Sequence, residues 1–338
     1  MPVRLKDIAR DLGVSLITVS KALRGAQDIS EQTRQRVLKR MSELNYRPNI
    51  LARGLASGKT YIVGLVVPGL LHPFFSEFAK ALNEVLRPAG YGLILASSDE
   101  DPTIEQQEVS TVLARGVDAL LIASCQPALQ GFYSLNDRRT PFILIDRDFP
   151  YLNANFVGTD DFRAGFLATR HLFEIGRTRI AHIAGPKLSP GRDRLRGYQD
   201  AIREHSACGY SKYVVTNSKV EQVGEEAGYS AMVKLLRDQP RPDGVFCYND
   251  LTAIGAIDAT IEAGFSVPED IAFVGCGNFR FSKYLRVPLT SIDQSTAAIG
   301  KKAGKLTLEL MRDCSIEPKH IRVEPKLVAR SSSRGYRS

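Results

Sequence analysis

The side chains able to do chemistry fall into two sets. The first is Leu16, Ile17, Ser20 and Lys21 in the run SLITVSKALRG. Helical spacing turns Val19, Ala22 and Leu23 to one side of this run and leaves those four on the other. Apolar tips suit the thymine methyl group, and a lysine ammonium suits the O6/N7 edge of guanine. Arg24, Ser30 and Thr33 stand near helix ends, where donors grip phosphates and fix register. The second set follows strand-like runs: Phe74 and Phe75 after YIVGLVV, Asp146 closing PFILID, Asn249 and Asp250 closing GVFCYND. Ligands of open α/β sheets gather at such strand ends. The two phenylalanines offer faces for a sugar or base ring, with core packing the alternative for at least one. Asp146 is an acceptor for hydroxyls or the cap of a turn. Bond-making chemistry is not indicated. The histidines at 72, 171, 182, 205 and 320 lack metal-ligand spacing, and GxSxG, GxGxxG and GxxxxGK[ST] motifs are absent. Neither an enzyme, a cofactor nor a metal is expected. The cysteines at 125, 208, 247, 276 and 314 form no CxxC and read as reduced, small apolar residues.

Three short helices must position the first set. Leu5, Ile8, Ala9 and Leu12 share one face of a helix over 5–12, which Gly13 ends. Ser15 caps a second helix running to about Leu23, and Gly25 ends it. Ser30 caps a third, Glu31–Leu44, striped by Val37, Leu38, Met41 and Leu44. Helix, tight turn, helix is a DNA-reading arrangement whose second helix enters the major groove; a plain bundle that binds protein is the alternative. Charge separates the two. Residues 1–60 hold 12 Lys+Arg against 5 Asp+Glu, a net of +7, whereas the rest of the chain nets +1. A basic head on a near-neutral body is the footprint of phosphate-backbone binding. The segment RPNILARGLASGKT follows. Pro48 stops the third helix, Asn49 caps a short helix over 50–57, and Ala52, Leu55 and Ala56 share one face of it. That face is either part of a linker or a wedge that kinks DNA from the minor groove.

Behind the head, apolar strands alternate with helices in two series: YIVGLVV, YGLILAS, VDALLIAS and PFILID, then RIAHIAG, KYVVT, DGVFCYN and DIAFVG. Helices are expected near 74–87, 104–115 and 128–137, then 163–175, 193–206, 224–238 and 252–263. Such alternation predicts parallel sheets in two similar lobes. No run of about 18 apolar residues could span a bilayer. The start, MPVRLKDIAR, has no apolar signal region, so a cytoplasmic chain is expected.

The runs KDIARDLGVSLITVSKALRG, ISEQTRQRV and LNYRPNILARGLASGKT resemble the lactose-repressor (LacI-type) family of bacterial transcription regulators. The likeness continues through VGLVVPGLLHPFFSEF, IDRDF, RDRLRGYQDAI, GVFCYNDLTAIGAI, VPEDIAFVGCGN and PLTSIDQS, covering about residues 3–330. It implies a multidomain chain: a helix-turn-helix head over 1–48, a hinge over 49–60, and a periplasmic-binding-protein-like body. In that body 61–161 with 293–329 make one doubly wound lobe and 162–292 the other, and 330–338 is a flexible tail. It further implies a homodimer on a near-palindromic operator, most often a repressor, with a sugar or related metabolite as effector between the lobes. Leu16, Ile17 and Lys21 become base-reading positions. Arg4, Ser15, Ser20, Arg24, Ser30, Thr33 and Asn49 become backbone or supporting contacts, and Ala52, Leu55 and Ala56 the minor-groove face. Effector positions carry over as Phe74, Phe75, Asp146, Arg194, Val223, Asn249, Gly277 and Gln294. Two of these depart from the family pattern: Gly277 replaces the usual aspartate, and Val223 stands where many members have an aromatic ring. A more acidic or less hydroxylated effector than a plain sugar is therefore expected. A transport-type solute-binding protein would share the body, but the basic head argues against it.

Overall fold

The computed structural model describes residues 3–23, 26, 28–46, 58–128, 132, 140–205, 213–216 and 223–334. The chain divides into two compact units, residues 1–60 and 61–338. In the first, helices α1 (Leu5–Leu12), α2 (Leu16–Leu23) and α3 (Glu31–Glu43) enclose Ile8, Ala9, Val19, Ala22, Val37 and Met41. Ser15 Oγ accepts the Thr18 N–H at 3.0 Å and Ser30 Oγ that of Thr33 at 3.3 Å. Each such cap contributes about 1 kcal/mol. Arg40 reaches Asp11 at 2.7 Å and Glu43 at 3.0 Å, tying α3 to α1. Leu38 departs from the expected stripe and is exposed. Val37, Met41 and Leu44 already fill the inward face, and position 38 lies about 100° around the helix from 37.

The second unit has two six-stranded sheets. The first-lobe elements are β1 (Ile62–Val67), α4 (Pro73–Leu86), β2 (Gly92–Ser97), α5 (Pro102–Ala114), β3 (Ala119–Ile122), β4 (Phe142–Ile145) and β5 (Asn155–Thr159). The second lobe follows with α6 (Asp161–Glu174), β6 (Ile180–Ala184), α7 (Ser189–His205), β7 (Val214–Thr216), α8 (Gly224–Leu235), β8 (Gly244–Cys247), α9 (Asp250–Glu262), β9 (Ala272–Cys276) and β10 (Thr290–Asp293). Then α10 (Thr296–Leu310) packs Ile299, Ala303 and Leu306 into the first-lobe core. Next β11 (His320–Val323) pairs parallel with β5, and β12 (Lys326–Val328) pairs antiparallel with β10. The strand orders are β11-β5-β4-β3-β1-β2 and β12-β10-β9-β8-β6-β7, parallel apart from β12. Near-continuous apolar strands such as IVGLVV and AFVGC are what sheets covered by helices on both faces require. The helix expected near 128–137 falls almost wholly outside the described residues.

The end of the chain corrects the sequence reading. Residues after β11 cross back to the second lobe instead of staying with the first. The supposed tail is anchored at least to Arg334. Ser332 and Ser333 are buried, Ser332 Oγ donates to Phe273 O at 2.8 Å, and Ser333 Oγ lies 2.8 Å from His171 Nε2. Polarity suggested disorder, but short hydroxyl side chains satisfy the backbone groups left open at the end of a buried sheet.

Candidate functional site

On the head, packing of Val19 and Ala22 into the core fixes the outward face of α2. Leu16 and Ile17 are 50% and 66% exposed, although burial would be the ordinary fate of such side chains. Lys21 lies one turn further on and ion-pairs with Asp28. Ser15 is exposed and Ser20 partly so, and Ser30 and Thr33 begin α3. Arg4 is exposed, with its backbone N–H donated to Asp7 at 2.9 Å. Arg24, Asn49, Ala52, Leu55 and Ala56 lie outside the described residues.

In the body, the carboxyl ends of the strands bring Phe74, Phe75, Asp146, Arg194, Asn249 and Gln294 together with His72 and Tyr248. These residues come from both lobes. The space they enclose is only about 10 Å³, roughly enough for one water. Arg194 is committed to protein partners. Its Nε donates to Asp161 Oδ1 at 2.8 Å, Nη2 lies 2.8 Å from the same oxygen, and Nη1 donates to Tyr248 O at 2.8 Å. Burial works against its charge, but its neighbours, the Asp161 carboxylate among them, outweigh that and hold its pKa above the ordinary value. Close helix packing sets its place: a Cβ on Gly165 of α6 would lie 2.1 Å from Arg194 O. Asn249 caps α9 by accepting the Thr252 N–H at 2.8 Å, while its Nδ2 is buried without a partner among the described residues. A buried amide donor left unpaired costs about 1–3 kcal/mol, which a ligand acceptor at this point would recover. Gln294 Nε2 lies 3.4 Å from Thr159 Oγ1.

Val223 and Gly277 do not line this space. Val223 precedes α8 and is 37% exposed. Gly277 has φ +131°, and a Cβ there would lie 2.5 Å from the Phe279 ring. Glycine is thus demanded twice, by backbone and by space. The Phe279 ring itself is buried among first-lobe side chains including Phe74, Phe75 and Phe78, and meets His72 edge-on at 5.4 Å. Asp250 holds its loop by accepting from Phe279 N at 2.9 Å, Ser282 Oγ at 2.6 Å and Ser291 Oγ at 2.5 Å. Burial pushes the Asp250 carboxyl up, and these three donors pull against that push. Asp250 is therefore a loop anchor, not a pocket group. The Phe279 ring thus crosses from the second lobe to the first and plugs the space that a side chain at 277 would occupy.

Residues 4–49 match the family described as bacterial regulatory proteins, lacI family, and residues 169–333 match a periplasmic binding protein-like domain. The HTH-type transcriptional regulator DegA of Bacillus subtilis is 30% identical over 338 residues, covering 98% of each chain. The chain belongs to the lacI family of bacterial regulatory proteins. Another lacI-family relative, the ribose operon repressor of Haemophilus influenzae, is 31% identical over 329 residues, covering 97% of this chain and 98% of that one. The lac repressor dimer bound to operator and the anti-inducer ONPF superposes with a TM-score of 0.83 at 25% identity, over 98% of this chain and 99% of that one. Against this lacI-family background the cleft has features that sequence reasoning missed: the Phe279 plug, the Asp161 partner of Arg194 and the Tyr248 wall. The only signal available was Gly277 two residues before a phenylalanine, a small residue that makes room for a ring.

Proposed function

We propose that this chain regulates transcription, as a repressor, by placing two heads of a homodimer on the halves of a near-palindromic operator. A small-molecule effector between the lobes, a sugar or related metabolite, sets the affinity. The observation that carries the reading is the outward face of α2. Leu16 and Ile17 stand exposed, with Lys21 partly exposed one turn on, on a head whose first sixty residues net +7. The lac repressor complex, with dimer, operator and small ligand together, supports it. Leu16 and Ile17 meet thymine methyls and Lys21 meets guanine, while Arg4, Ser15, Ser20, Arg24, Ser30, Thr33 and Asn49 make backbone or supporting contacts. Ala52, Leu55 and Ala56 form the minor-groove wedge. Effector binding couples to DNA when the two ligands prefer different lobe arrangements.

The test is fluorescence anisotropy of the full chain on duplexes selected from a random library, at two salt concentrations. Selected sites should be near-palindromic, and log affinity should fall linearly with log salt. A chain that ignores every duplex at low salt would sink the proposal.

A further inference from the structure

Outside the plugged inner cleft the lobes enclose a second space of about 950 Å³, within the usual range for small-molecule sites. None of the effector positions carried over from the family lines it. Its first-lobe wall carries Arg147, Asp148 and Arg322, and its second-lobe wall Lys187, Ser189, Arg192, Asp193 and Arg196. Three of the five cations are neutralised: Arg147 by Glu100, Arg322 by Asp148 at 3.0 Å, and Arg196 by Asp193 at 3.0 Å. Lys187 and Arg192 have no carboxylate partner among the described residues. They flank the N-terminus of the 17-residue helix α7, whose dipole adds positive potential there. Asp148 supplies an opposite need. Its side chain is buried, and Oδ1 accepts no hydrogen bond among the described residues. The floor of the space already joins the lobes, since Asp148 N donates to Ser189 Oγ at 2.7 Å.

The geometry points to a ligand site for an anionic polyol, a sugar phosphate or sugar acid. Its anionic group sits on Lys187, Arg192 and the first turn of α7, and a hydroxyl donates to Asp148 Oδ1. The cavity is built from both lobes, so the ligand holds them together in the plugged arrangement. This rests on the effector-gated reading above but assigns the site and the chemical class anew.

Isothermal titration of the full chain compares ribose 5-phosphate, gluconate, ribose and inorganic phosphate. At least one of the two anionic polyols should bind, with ribose weaker by about tenfold or more and with affinity falling as KCl rises. The exposed pair K187A/R192A should lose about tenfold or more, while K301A, an exposed lysine of α10 outside the cavity, stays within about twofold. D148N should weaken each anionic polyol that binds and leave inorganic phosphate unchanged. Three outcomes overturn the site: no anionic polyol binds at millimolar concentration, binding ignores Lys187 and Arg192, or inorganic phosphate matches ribose 5-phosphate. Operator binding by the same preparation is read separately, so loss of this site and loss of the regulator reading are distinguishable.

Discussion

Phe279→Ala removes the ring that crosses from the second lobe into the first-lobe aromatic cluster. The ring is almost wholly buried, beside His72 at 5.4 Å and among Phe74, Phe75 and Phe78. Truncating a buried phenylalanine costs about 3–5 kcal/mol. Its backbone is tied to the second lobe through Asp250, while its side chain is shared with the first. Much of that loss is therefore felt only while the lobes are together. If about 3 kcal/mol of it falls on closure, the closed-to-open ratio drops by roughly a hundredfold, at about 1.4 kcal/mol per decade. Small-angle scattering of the unliganded chain should then show a larger radius of gyration, and urea denaturation a smaller loss than a full core deletion. Phe279→Leu keeps most of the apolar contact and should stay near the parent. Unchanged scattering by Phe279→Ala, together with the full stability loss, would show that the ring is ordinary core and closes nothing.

Other expectations concern the head and the core. Lys21→Ala should relax preference at one operator position by about 1–3 kcal/mol, whereas Asp28→Asn, which frees Lys21 from its ion pair, should strengthen binding to all duplexes; anisotropy across single-base variants separates the two. Leu55→Ala should weaken operator binding more than non-specific binding, and equal losses on both would remove the wedge. His182 is buried between Phe246 and Tyr198, its Nδ1 lies 2.9 Å from Phe246 O, and burial lowers its pKa to about 4. The unfolded chain takes up this proton first, so stability present at pH 7 is lost between about pH 6.5 and 4, by roughly 3 kcal/mol in all. His182→Phe should flatten that part of the pH profile in urea denaturation, and an unaltered slope would place the acid sensitivity elsewhere.

Local pattern in the chain was enough for much of this. The spacing of Ile8, Ala9, Val19, Ala22, Val37 and Met41 defines three helices around one core, and so leaves Leu16 and Ile17 outside. Caps at Ser15 and Ser30 act within three residues of themselves, so they are readable in sequence. Unbroken apolar runs marked the central strands for the same reason. The strands β5, β10, β11 and β12 went unlisted because NFVGT, TSID, HIRV and KLV lack the unbroken apolar run that marked equally short strands such as β3 and β4. Only the tertiary structure decided the cleft. Arg194 meets Asp161 across 33 residues of chain and Tyr248 across 54, Asp250 meets Ser291 across 41, and Phe279 joins a cluster built around Phe74. Those partners are chosen by how two sheets and their connecting segments pack in space, and that choice leaves no periodic trace in the sequence.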